Sequence, residues 1–523
     1  MKVIKTMLIA GMLIPVLFAK AQPGRENSAQ RPAMRDTTYS TSSGIKDIKK
    51  SQKSVTHGSV TVEGKLINYE ANAGTLVLKN NQDVPTISMS YVAYFKDGEK
   101  DLSKRPITFI YNGGPGSSTV WLHMGCWGPQ KVNIKDMSRS RAPYSTVNND
   151  YSLLDASDLV FIDAPGTGFG EIITKEKGGA GEPKEFYGID EDGQTFASFI
   201  AQFITDFNRW NSPKYLFGES YGTFRSALVA NILQSSKNIS LNGVILLSQL
   251  LTYSNMTETT AGNPGTDMPF ILILPSYAAT AYYHNKLPVK PKSLDVFLKE
   301  VEQFALTDYA LALNKGADIS ADAFNAIAEK LHTYTGLPVS YLKKANLRVT
   351  GPQFSQTLLG EDNEIVGRLD SRFSGDAINP LSENAQYDPM NSFIAAAFTS
   401  TLNTYMRNDL KFGGDAQYKI SGSVQPWNFQ RRGNFIGFPN VMNDLARAMV
   451  YNPSLKVLLT GGYFDLGTPY FEGKYEMKHL PMPASLQQNI SYQYFESGHM
   501  VYLHPESLKL LHNSVAKFIN STH

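Results

Sequence analysis

Residues 215–223 read Tyr-Leu-Phe-Gly-Glu-Ser-Tyr-Gly-Thr, and no other stretch constrains the fold so tightly. Tyr215-Leu216-Phe217 has the apolar character of a buried strand, and Thr223 to Leu233 reads as a helix. Between them, Gly218 and Gly222 flank Glu219-Ser220-Tyr221. Small residues on both sides leave room for a strained strand-to-helix turn, which lifts the serine hydroxyl above the sheet edge.

The surrounding sequence supplies such a sheet. Short continuous apolar runs, as expected for buried parallel strands, occur at Ile107–Tyr111, Leu159–Ile162, Gly243–Leu247, Lys456–Leu459 and Tyr492–Phe495. Helices alternate with them. One carries Phe196, Phe199, Ile200, Phe203, Ile204, Phe207 and Trp210 as an apolar stripe; a closing one carries Leu508, Leu511, Val515 and Phe518. Earlier runs at Val60–Val62, Leu76–Leu78 and Ile87–Phe95, punctuated by turn residues, predict antiparallel hairpins at one edge. This alternation predicts an α/β fold with a mostly parallel central sheet. The stretch between Leu247 and Lys456 is too long for one crossover and contains helical segments at Ser293–Phe304, Ala321–Tyr334 and Ser392–Tyr405. The expected organisation is a core over 56–254 and 431–523, interrupted by a largely helical cap over 255–430.

The N-terminus reads as an export signal over residues 1–21. Lys2 and Lys5 precede an apolar Thr6–Ala19 stretch, and Ala19-Lys20-Ala21 is a cleavage pattern ahead of Gln22. The apolar stretch is shorter than the ~20 residues that span a bilayer, so no stable membrane insertion is expected. Residues 22–55, polar and aperiodic, read as a disordered leader. The expected destination is the periplasm or the medium; Cys126 is the single cysteine, so no internal disulfide forms and stability rests on a large core. With 49 basic and 47 acidic residues, the chain has no electrostatic reason to bind nucleic acid.

An activated serine needs a base, and the base an orienting carboxylate, in the chain order Ser, acid, His. Asp465 follows the Lys456–Leu459 strand, and His499 follows Tyr492–Phe495. Ser220, Asp465 and His499 are therefore the expected nucleophile, orienter and general base. His504, ahead of Pro505, reads as a helix-start or surface residue. After Ile107–Tyr111 comes Asn112-Gly113-Gly114-Pro115-Gly116-Ser117-Ser118, a glycine-rich loop able to aim a backbone N–H at a developing oxyanion. Gly114 and Tyr221 are the expected donors. No metal site is expected, since HExxH and CxxC spacings do not occur, and no cofactor is needed.

Four segments together resemble the serine carboxypeptidases: Asn112–Ser118, Phe161-Ile162-Asp163-Ala164-Pro165-Gly166-Thr167-Gly168-Phe169, Gly218–Gly222 and Gly498-His499-Met500-Val501. The resemblance runs from about residue 60 to the C-terminus, loosely in the inserted region. It implies an α/β-hydrolase fold, cleavage of peptides at a free C-terminus, and a preference for acidic pH. It also implies that Asn112 and Glu219 hydrogen-bond the substrate's terminal carboxylate. One departure is local: Cys126 stands where the family pattern has a second glutamate. Arg368 and Arg372, in Gly367-Arg368-Leu369-Asp370-Ser371-Arg372, are alternative cations for a carboxylate. The chemistry expected is serine exopeptidase action on peptides. An esterase or acyltransferase with the same triad, and a catalytically silent binding protein, are the rival readings.

Overall fold

The computed structural model of the protein describes residues 47–135, 137, 141–431 and 437–523. The expected export signal and the leader up to residue 46 lie outside the described residues. The end of that leader is ordered into the fold: residues 48–50 turn, and Gln52 opens strand β1, Gln52–Val62. Its polar composition conceals it, because this edge strand alternates half-buried and exposed positions and is held by backbone pairing to β2, Lys65–Lys79.

Strand β3, Pro85–Lys96, completes an antiparallel edge. Six more follow: β4 (Ile107–Tyr111), β5 (Asp158–Ile162), β6 (Lys214–Glu219), β7 (Gly243–Leu247), β8 (Lys456–Gly462) and β9 (Ile490–Phe495). The sheet order is β1-β2-β3-β5-β4-β6-β7-β8-β9, with Glu171–Ile172 pairing onto β3. From β5 to β9 every neighbouring pair is parallel. Strands β4 to β7 are buried along their whole length, which is why they are continuous apolar runs rather than alternating ones.

One face of the sheet is covered by α1 (Ile189–Asp206) and α2 (Tyr221–Ser236), whose apolar residues share a core with β4 to β7. The aromatic stripe of α1 is buried through Phe203, which meets Phe109 edge-on at 5.9 Å. Trp210 departs from the expected stripe. The helix ends at Asp206, so Trp210 lies beyond it, 49% exposed, donating its indole N–H to Thr205 Oγ1.

The inserted stretch divides between two cores. Helices α3 (Met268–Tyr283), α4 (Leu294–Phe304) and α5 (Ala321–Thr335) form their own cluster, joined by Phe464, Leu466 and Tyr470 from beyond β8. Helix α6 (Pro389–Asn408) instead lays Met390, Ile394, Phe398 and Leu402 onto the other face of the central sheet. Three helices follow: α7 (Met442–Tyr451), α8 (Tyr470–Lys478) and α9 (Pro505–Ser521), the last burying Leu508, Leu511 and Val515 in the same core as α6.

A buried ion pair joins these layers next to the serine turn. Arg225 of α2, fully buried, donates from Nε to Asp192 Oδ2 at 2.6 Å and from Nη2 to Asp192 Oδ1 at 3.2 Å. Its Nη1 donates to the Asn112 carbonyl at 2.6 Å, and its guanidinium lies 4.1 Å from the Phe196 ring centroid. Removing one partner of such a pair strands the other charge without solvent. Arg225→Met is expected to lower the unfolding free energy by about 3–5 kcal/mol, read as a drop in urea midpoint. Replacing Asp192 with Leu in the same molecule should recover much of the loss. A single variant as stable as the parent would remove the pair from this structural role.

Candidate active site

Ser220 sits between β6 and α2 with φ of 61° and ψ of −131°, a left-handed conformation that non-glycine residues rarely adopt. The flanking glycines are sterically required. A Cβ on Gly218 would lie 2.2 Å from the Gly222 carbonyl oxygen, and one on Gly222 would lie 2.8 Å from that of Tyr111. The Ser220 amide donates to the Leu247 carbonyl at 3.0 Å, tying the turn to β7. Thr223 Oγ1 donates back to the Ser220 carbonyl at 2.7 Å.

Asp465 and His499 come together because β8 and β9 are parallel neighbours whose carboxyl ends run into adjacent loops. The approach is close: a Cβ on Gly462 would lie 2.0 Å from the Ser497 carbonyl oxygen. Asp465 is fully buried and accepts four hydrogen bonds. The donors are the Gly467 amide at 2.8 Å, the Thr468 amide at 2.9 Å, the Thr468 hydroxyl at 2.7 Å and His499 Nδ1 at 2.7 Å. Engaging Nδ1 leaves Nε2 of the imidazole to serve as the base. Burial alone would depress the His499 pKa, but the charge and hydrogen bond of Asp465 outweigh it and hold it above the ordinary histidine value. Ser220 and His499 line one small cavity of about 100 Å³.

Gly114 and Tyr221 line the same cavity, and neither backbone amide has a backbone acceptor among the described residues. Gly113 brings the loop against the helix start: a Cβ there would lie 2.5 Å from the Tyr221 nitrogen. Tyr221 opens α2, so its amide also sits at the positive end of the helix dipole. Asp163 steadies the loop from behind, accepting from the Ser90 hydroxyl and the Tyr418 hydroxyl at 2.7 Å each and from the Thr119 amide at 2.9 Å. The Phe161–Phe169 motif thus braces, through Asp163, the segment that follows the glycine-rich loop.

Beneath this loop Asn112 and Glu219 form a buried pair. Asn112 Nδ2 donates to Glu219 Oε1 at 3.0 Å, while Asn112 Oδ1 accepts the Leu122 amide at 3.1 Å. Glu219 Oε2 and the Tyr502 hydroxyl are both buried and interact with each other, short of good hydrogen-bond geometry. Burial pushes the Glu219 carboxyl up to about 7. Burial and the nearby Glu219 charge raise the Cys126 thiol further, so it stays protonated here.

The two arginines expected as alternative cations have different surroundings. Arg372 is buried in an ion pair with Asp370 at 2.6 Å. Arg368 lines the Ser220 cavity, its side chain 40% exposed. This segment also clasps the loops that carry Asp465 and His499. Leu466 N donates to Arg368 O at 3.0 Å, His499 N to Leu369 O at 2.6 Å, and Ser371 Oγ to Phe464 O at 2.9 Å. That clasp, and the Thr468 hydroxyl on Asp465, carry site functions that pattern reading does not assign. Asp465-Leu466-Gly467-Thr468-Pro469 at a helix start does carry a signal, since a side chain there accepts the following amides. His504 caps the start of α9, its Nδ1 contacting the Ser507 hydroxyl at 2.8 Å. Among the described residues no cluster of three metal-ligating side chains occurs, and no helix is long and apolar enough to cross a membrane.

Residues 72–287 match the family model of the serine carboxypeptidases. A serine carboxypeptidase-like protein of Arabidopsis thaliana is 29% identical over 147 residues, a match that spans 28% of this chain and 28% of the plant protein's length. The solved structure of a prohormone-processing carboxypeptidase of Saccharomyces cerevisiae superposes with a TM-score of 0.53 at 16% identity. That superposition covers 87% of this chain and 92% of the yeast one, and shows a shared α/β-hydrolase fold.

Labelling of Ser220 by a fluorophosphonate tests the triad without presupposing a substrate. Ser220→Ala should abolish it and His499→Ala should slow it by roughly 10⁴-fold, because triad members act as a unit. Asp465→Asn should slow it comparably, since an amide there holds the imidazole in the wrong tautomer. Near-parental labelling of Asp465→Asn would point to another carboxylate.

Proposed function

We propose that this α/β-hydrolase, whose residues 72–287 match the family model of the serine carboxypeptidases, removes residues from the free C-termini of peptides through an acyl-enzyme on Ser220. Ser220 Oγ attacks the last peptide carbonyl as His499 Nε2 takes its proton, and Asp465 stabilises the imidazolium that results. The Gly114 and Tyr221 amides receive the oxyanion. On collapse the C–N bond breaks, and the leaving amine takes the proton from His499. Water, deprotonated by the same imidazole, then attacks the ester carbonyl, releasing the shortened peptide and restoring Ser220.

The observation that carries exopeptidase action, beyond acyl transfer in general, is Glu219. It neighbours the nucleophile, is tied to Asn112, and turns Oε2 toward the Tyr502 hydroxyl, short of good hydrogen-bond geometry. A neutral carboxyl beside Asn112 can donate to a terminal carboxylate, whereas two ionised carboxylates in contact repel. The esterase or acyltransferase reading draws support from Cys126, since a buried thiol in place of a second acid weakens discrimination between free and blocked C-termini. We further propose that residues 1–21 direct export and are removed, leaving Gln22 first in a periplasmic or secreted protein. Intact mass of the native protein tests this, and a form retaining Met1–Ala21 would overturn it.

The pH dependence follows from two groups. His499 must be neutral to accept a proton, so activity falls as pH drops through its pKa, above the ordinary histidine value. Glu219 must be protonated to hold a carboxylate, so hydrolysis of free-acid peptides should also fall as pH rises through about 7. C-terminally amidated peptides should show the acid limb alone. Glu219→Gln, which keeps a donor that does not titrate, should remove the alkaline limb for free-acid peptides. Profiles of kcat/KM identical for both substrates in both proteins would exclude the role in carboxylate recognition.

A further inference from the structure

The cavity beside Ser220 is walled mainly by neutral groups: Tyr221, Leu250, Tyr253, Met256, Gly467 and Thr468. Among the described residues lining it, Arg368 is the one Lys or Arg. Its position is built from three sides. The Arg368 carbonyl accepts the Leu466 amide, the guanidinium Nε donates to Glu258 Oε1 at 2.8 Å, and Nη1 lies against the missing side chain of Gly467. A Cβ on Gly467 would come within 2.9 Å of that nitrogen, so the glycine admits the guanidinium to the catalytic loop. Glu258 is bound through Nε alone in this geometry, which leaves the two terminal amino groups for a second acceptor. A planar fork offering parallel N–H groups matches a carboxylate.

We propose that Arg368 is a specificity-determining residue that binds a carboxylate of the substrate within the Ser220 cavity. The inference rests on the acyl-enzyme reading of Ser220. Two sources supply this chemistry: an Asp or Glu side chain on the residue that becomes the acyl group, or the peptide's terminal carboxylate. Arg368 makes no hydrogen bond to Ser220, Gly114 or Tyr221 among the described residues, and its charge acts on His499 only through space, opposing the rise that Asp465 causes.

The test uses the full mature protein and four N-acetylated peptides, with Glu or Gln in the acyl position and a free acid or an amide at the C-terminus. Arg368→Gln should lower kcat/KM by roughly ten- to a hundredfold for the carboxylate-bearing member of one matched pair, with little change for its neutral partner. Loss confined to the Glu/Gln pair identifies the side chain, and loss confined to the acid/amide pair identifies the terminus. Arg368→Lys, which keeps the charge without the fork, should retain part of the discrimination. Glu258→Gln should preserve it, because the guanidinium then faces less competition. An equal loss across all four peptides, or no loss in any, overturns the proposal and leaves Arg368 a strut for the catalytic loops. Failure of the parent protein to cleave any peptide would count against the proposed function instead. Binding of N-acetylglutamate, N-acetylglutamine and their α-amides to Ser220→Ala protein, measured by calorimetry, then decides the proposal: a preference for either carboxylate over its amide that Arg368→Gln abolishes sustains it, and equal binding of all four ends it.

Discussion

One buried guanidinium fixes the relation between the nucleophile and the groups that would stabilise its transition state. Arg225 leaves the helix that begins at Ser220, grips Asp192 on the neighbouring helix, and holds the Asn112 carbonyl at the root of the oxyanion loop. The serine turn, the helix layer and the glycine-rich loop are therefore joined through one side chain. Aromatic rings of Phe196, Tyr111 and Tyr221 surround the charge, so water does not compete for it. A charge pair buried this completely is poor evidence for net stability, since desolvation offsets much of its attraction. Its value here is geometric, because oxyanion stabilisation depends on donors that are already in place.

The central sheet was legible in the sequence because strands buried on both faces are written as unbroken apolar runs. Ser220, Asp465 and His499 were legible for a related reason: each follows such a run, where side chains must emerge at the sheet's carboxyl edge. Strand β1 was not, since an edge strand needs only backbone pairing and tolerates Gln52, Ser54 and Thr56. Trp210 misled because periodicity continues past a helix end that periodicity does not mark. The division of the insertion was also hidden. The stripes of α4 and α6 look alike in sequence, and what separates them is which core each meets.

The electrostatics of the site depend on burial more than on charge count. Glu219 is carried up to about 7 by desolvation, while His499 is held up by Asp465 against the same effect. A carboxyl and an imidazole are thus both carried above their ordinary values, each acting on the other through its charge. Cys126, buried and protonated beside them, adds no further charge to that balance.

The clasp formed by Arg368, Leu369 and Ser371 also has a consequence for biosynthesis. Emerging from the ribosome, the chain presents Ser220 and β7 long before β8 and β9, and the clasp segment lies between them. Residues 368–371 are therefore available before either loop that they hold, and the last two strands add to an edge already furnished with acceptors for Leu466 and His499. Chains fold broadly from the N-terminus during synthesis. A nascent chain arrested before Asp465 would present its serine turn with neither Asp465 nor His499 yet made. The order of segments along the polypeptide thus puts the clasp in place before the two loops that it holds.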